Sequence, residues 1–169
     1  MSIHVEAYTA TGVIRGVVAR SGHLRDVLEA GGDLLIERAT WQAHGESRPA
    51  PAGQVEMPVD DLLAVVGDDD PTIPVHASWH HLRVDLPPYV LTGDLPTLPG
   101  YDPGRALARP TGTFVVLRDV EMGTAADGER PLAHVALVNR YAVERVEADL
   151  MLGFYFPGAA LEDESATPA

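Results

Sequence analysis

The residues best equipped for chemistry stand together near the middle of the chain, in the run His76-Ala77-Ser78-Trp79-His80-His81. On a helix His76 and His80 would share a face at i, i+4; on a strand His76, Ser78 and His80 would share one at period two. Either arrangement could offer two neutral imidazoles to zinc, with Asp68, Asp69 or Asp70 as a third ligand. No HExxH or comparable spacing accompanies the run, so the plainer expectation is a linker whose histidines pack or face water. Other candidates fall away sooner. Ser21 and His23 are too close in sequence to imply a triad, and there is no Gly-x-Ser-x-Gly elbow. Asp68-Asp69-Asp70 lacks the glycine and the distal glutamate of a calcium loop. The glycines form no phosphate fingerprint. The sequence therefore assigns no catalytic, cofactor-binding or metal-ligating residue.

Composition narrows the classes further. With no cysteine, disulfides, thiolate nucleophiles and Cys-based zinc or iron–sulfur sites are excluded. All 12 basic residues are arginine, which removes Schiff-base lysines and the Walker lysine. A formal net charge of −13 repels the phosphate backbone and disfavours nucleic acid, which leaves RNA on an arginine-lined loop face as a third and weaker option. No apolar run approaches the length of a membrane span. The opening Met1-Ser2-Ile3-His4 has neither a basic n-region nor an apolar core, and the cytoplasm is the expected location.

The elements that would position these residues are organised by a repeat. Val135-Ala-Leu-Val-Asn-Arg-Tyr-Ala-Val-Glu-Arg-Val146 carries apolar residues where Val55 to Val66 does, 80 residues earlier. The same offset sets Arg25 on Arg105, Gly32 on Gly112, Leu34-Leu35-Ile36 on Phe114-Val115-Val116 and Arg38 on Arg118. It slips to 77 for Val13–Gly16 on Val90–Gly93, and to 79 for Ile3–Glu6 on Leu82–Asp85. Collinear matches over most of both halves predict one small unit written twice.

Within each half the local signals are mostly β. Ile3 to Ala7 alternates apolar and polar, and Val13 to Ala19 is a second β-rich run whose Gly16 predicts a bulge or bend. Ser21 is expected to cap a short helix over His23 to Ala30, ended by Gly31-Gly32, with Leu24, Val27 and Leu28 on its buried face. Asp33 to Trp41 is a third strand and Gln42 to Gly53 an exposed hairpin tip; Gly123 to Pro131 holds the same place in the second half. Leu62 to Val66 and Val143 to Leu150 fit either a helix or a tight turn plus strand, and their shortness favours the strand. Prolines in the Leu95–Pro103 run are expected to shorten a second helix around Arg105 to Ala108. Met151 to Phe156 is a last apolar strand, and the small, acidic residues beyond Pro157 are expected to be disordered.

This order of elements, with Tyr89-Val90-Leu91-Thr92-Gly93, Thr113-Phe114-Val115-Val116-Leu117, Ala136-Leu137-Val138-Asn139-Arg140 and His23-Leu24-Arg25-Asp26-Val27-Leu28, resembles an uncharacterised bacterial family of small Sm-like, bent five-stranded barrel proteins. Pro58 stands where that pattern expects a strand donor, and Asp60-Asp61 replaces its Asn-Arg. The resemblance implies a fold and no activity.

The expected architecture is thus mainly β: two tandem small Sm-like bent β-barrels, each with a short helix. Residues 1–70 form the first, 71–81 a linker, 82–157 the second and 158–169 a disordered acidic tail. The expected function is a non-enzymatic binding or assembly module without a cofactor, able to form homo-oligomers or to take a protein partner. Trp41, Trp79, Phe154, Tyr155 and Phe156 would supply either its contact surface or its core. The alternative is a metal-binding protein or metal-dependent enzyme built on His76, His80 and His81.

Overall fold

Strands built from alternating residues dominate the chain. The computed structural model describes residues 2–19, 22–68, 78–97, 112–124, 127–148 and 156–163. It divides into two compact units, Met1–Thr72 with Ala136–Asn139, and Ile73–Val135 with Arg140–Ala169. Residues 136–139, expected in the second repeat, are thus counted with the first.

The first unit begins with β1 (Ser2–Tyr8), which buries Ile3, Val5 and Ala7 and leaves His4 exposed and Glu6 half-buried. That is the two-residue period of a strand with one face on a core. β2 (Gly12–Ala19) pairs antiparallel with it and breaks register against β3 (Asp33–Ala43) between Arg15 and Val17. Gly16 sits at that break because a side chain there would run into Ile36 and the Glu37 carbonyl. Across the break Arg38 adopts a left-handed φ of 50°. Between these strands lies α1 (Leu24–Glu29), burying Leu24 and Leu28 at i, i+4. Its N-cap is His23, with no side-chain cap hydrogen bond, and Ser21 lies outside the described residues. Gly31 and Gly32, at φ 78° and 77°, end it as expected.

β3 runs to Ala43 and β4 (Ala50–Pro58) starts at Ala50, so the hairpin tip is shorter than Gln42 to Gly53. Pro58 ends β4, after which a 3-10 turn, Val59–Asp61, leads into β5 (Ala64–Gly67). Leu62 to Val66 is thus turn and strand, not helix. The strand order is β5-β1-β2-β3-β4, in which β4 neighbours only β3.

The second unit opens with β6 (Ser78–Leu86) and β7 (Tyr89–Thr97), joined through a cis Pro87–Pro88 bond. Ser78 to His81, expected in a linker, belong to β6, because β7 runs on through Leu95-Pro96-Thr97 and pairs with all four. β8 (Phe114–Thr124) and β9 (Arg130–Asn139) follow, then β10 (Arg145–Ala148) and β11 (Ala160–Asp163). The strand order is β11-β10-β6-β7-β8-β9. β10 makes residues 145–148 of the Val143-to-Leu150 stretch strand, as preferred, with a turn before it. β11 corrects the expectation of a disordered tail: it runs parallel along β10, whose backbone groups need partners on that side. Phe156 is buried at 1% exposure. The expectations for His76, Asp69, Asp70, the helix near Arg105 to Ala108, Met151 to Tyr155 and 164–169 concern positions outside the described residues. Among the described residues α1 is the only α-helix, and no helix is long and apolar enough to cross a membrane.

Register allows the two units to be compared strand by strand. Val5 pairs with Gly16, and Leu82 with Gly93. Val17 pairs with Glu37, and Asp94 with Arg118, with a break beside the glycine in each case. Ala7 pairs with Val65, and Val84 with Val146. The correspondence is therefore 77 throughout the first hairpin and 81 from the third strand onward. The sequence match of Ile3 with Leu82 is two residues out. Those of Leu34–Ile36 with Phe114–Val116 and of Arg38 with Arg118 are one residue out.

Candidate functional site

Of the histidines that open the metal hypothesis, the two described, His80 and His81, do not converge. His80 and His81 are consecutive in β6, so their side chains leave opposite faces. His80 Nε2 lies 2.7 Å from Thr97 Oγ1, which is also 3.4 Å from the Ser78 carbonyl, so this imidazole is engaged with its neighbouring strand. His81 Nδ1 is 3.0 Å from Asp94 Oδ1. Asp68 belongs to the first unit, where its Oδ1 accepts the His4 backbone N–H at 3.0 Å. Among the described residues no group of three His, Asp or Glu could hold a metal ion. His23 is the N-cap of α1.

Two features that the sequence did not single out are built around the register breaks. In the second unit His81 begins a chain of alternating charge. Asp94 accepts from His81 and faces Arg118 at 3.6 Å; Arg118 Nε is 3.6 Å from Asp119; Asp119 accepts from His134 Nδ1 at 2.8 Å. The Arg118 guanidinium also covers the Trp79 ring at 3.7 Å, which explains why this tryptophan is neither free contact surface nor core. Asp119, like Arg38, has a left-handed backbone, with φ 53°.

In the first unit the corresponding face is open. A pocket of about 600 Å³ is lined by β1, β2, β3 and β5, with His4, Glu6, Arg15, Arg38, Thr40 and Asp68 carrying its polar groups. The β1–β2 register sets His4 opposite Val17 and Glu6 opposite Arg15, so these side chains share one face. Val17 and Val66 give that face an apolar floor. Glu6 accepts the Tyr8 hydroxyl at 2.6 Å and faces Arg15 at 3.6 Å, while Arg15 donates to Gln42 at 3.1 Å. Among the described residues Arg38 has neither a hydrogen bond nor an ion pair. The sequence signal for this pocket was the Gly16 bulge together with charges at alternate positions of β1 and β2. The left-handed turn that delivers Arg38 has no such signal, because arginine is not a residue that favours it.

The class that fold and site define is a mainly β protein with a ligand-sized pocket on one unit. No protein-family model, no curated protein and no solved structure matches the chain.

Proposed function

We propose that the protein is a non-enzymatic binding module whose ligand enters the pocket of the first unit. The observation that carries this reading is the pocket itself. Its volume of about 600 Å³ falls within the range of small-molecule sites, and its lining sets the polar groups of six residues around an apolar floor. The two units are read as tandem copies of one small barrel of the Sm-like kind, one copy having kept the pocket open. Equal strand order and a glycine at the same register break support that reading. A thermal-shift screen of small organic ligands, with metal analysis of untagged protein, tests it. Stabilisation by a ligand whose nuclear magnetic resonance (NMR) contacts map to His4, Arg15 and Arg38, with no turnover, is the expected result. Stoichiometric zinc would return the metal-site alternative, and ligands that map elsewhere would overturn the pocket.

Self-association is the second reading, supported by β4, which neighbours only β3 in the strand order and offers an edge. Pro51, Glu56 and Pro58 along it are the residues that usually discourage such pairing. Light scattering at micromolar concentration decides the matter, and a clean monomer ends the idea of assembly.

A further inference from the structure

We infer that the pocket of the first unit takes a small aliphatic monocarboxylate, its carboxylate beside Arg38 and His4 and its apolar body on Val17 and Val66. This rests on the reading of the protein as a binding module and names the ligand class.

The charges inside the pocket and the matching positions of the second unit both point to this class. Of the two guanidinium groups in the lining, that of Arg15 is occupied by Glu6 and Gln42. Arg38 has no partner among the described residues, in a chain of 25 acidic and 12 basic residues. Its planar fork suits a carboxylate.

At the matching positions of the second unit, His81 stands for His4 and Asp94 for Val17. Asp94 there places a carboxylate between an imidazole, 3.0 Å away, and a guanidinium, 3.6 Å away. The first unit keeps the imidazole and has a guanidinium at Arg38, one register position along from that of Arg118. Val17 supplies no carboxylate, and the space above it is open. A ligand carboxylate entering there takes the role that Asp94 plays in the second unit. The lining also contains the carboxylates of Glu6 and Asp68. They repel a dianion such as phosphate more strongly than a singly charged group. The valine floor selects an apolar body over a hydrated one.

The test uses the full chain and four probes, hexanoate, hexanol, hexylamine and inorganic phosphate, with affinities from NMR titration. Hexanoate is expected to bind most tightly, with shifts at His4, Val17 and Arg38. Arg38→Gln should weaken it about tenfold or more, the scale of a lost hydrogen bond to a charged group. Its melting temperature should change little, since the exposed Arg38 side chain makes no hydrogen bond or ion pair among the described residues. Val17→Asp supplies the carboxylate internally and should abolish hexanoate binding; if it unfolds, Arg38→Gln alone decides. Hexanol, hexylamine or phosphate binding in the pocket as well as hexanoate, or an unchanged hexanoate affinity in Arg38→Gln, overturns the ligand class and leaves the binding module standing. Failure of all four probes overturns the ligand class, and failure of the wider screen as well overturns the binding module.

Discussion

Replacing Gly16 by alanine sets a methyl carbon 2.5 Å from Ile36 Cγ2, 2.7 Å from the Glu37 carbonyl oxygen and 3.2 Å from Ala39 Cα. Two of these three atoms are backbone, so no rotamer change relieves the contact, and β3 must move away from β2. Ile36 is fully buried and cannot swing outward. Forcing extra volume into such a place costs about 1–3 kcal/mol. Alanine in place of a strand glycine returns roughly 0.5–1 kcal/mol through the unfolded chain, leaving a net loss of about 1–2 kcal/mol. Gly93→Ala is the internal control. Its methyl meets the Arg118 carbonyl at 3.1 Å and Leu117 and Val120 side-chain atoms at 3.4 Å, contacts that a few tenths of an ångström relieve. The expected loss there is near zero. Urea denaturation of the parent and both variants, followed by tryptophan fluorescence and by circular dichroism, gives the comparison. Gly16→Ala should also perturb the pocket, since Gly16 and Arg38 both line it. Equal midpoints for the two variants, or a Gly16→Ala protein as stable as the parent, would refute the close approach of β2 to β3 at the break.

Three further outcomes are expected. Asn139, 3% exposed, donates from Nδ2 to the Leu62 carbonyl at 3.0 Å; Asn139→Ala strands that buried acceptor and should cost about 1–3 kcal/mol in urea melts. Phe156→Ala should cost about 3–5 kcal/mol through the cavity it leaves, whereas a surface aromatic would cost little. Burial pushes the Tyr89 phenol up to about 12, so between pH 10 and 12 the unfolded chain loses this proton while the folded one keeps it. Stability should therefore fall across that window, by an amount of order 2 kcal/mol, and Tyr89→Phe should lack this part of the fall; parallel curves for parent and variant would refute it.

Much of the fold was legible because most strands bury one face. β1 and β7 alternate cleanly, Gly16 announced its register break, and Gly31-Gly32 announced the end of α1. The same regularity explains where the comparison of the halves slipped. An alternating strand looks alike when shifted by two residues, and Ile3-His4-Val5 even lies more comfortably over Leu82-Arg83-Val84 than over its register partners His80-His81-Leu82, where Ile3 meets an imidazole. Phe114 to Leu117 are all buried, so that stretch has no alternation and leaves a shift of one undetected. Register is settled by hydrogen-bonded partners, which sequence periodicity does not name.

That limit bears directly on the candidate site. With Arg38 matched to Arg118, the two halves read as equivalent at their most informative position, and nothing distinguishes them. With the register corrected, Arg38 corresponds to Asp119 and Val17 to Asp94. The second unit then sets a carboxylate of its own beside its imidazole and guanidinium, at 3.0 and 3.6 Å, while the first presents His4 and Arg38 around an open floor. The asymmetry that points to a ligand therefore exists only in the three-dimensional alignment. His80 and His81, conspicuous in sequence, are separated by the two faces of one strand, whereas the pocket gathers residues numbered from 4 to 68 from four strands and the residue that follows β5.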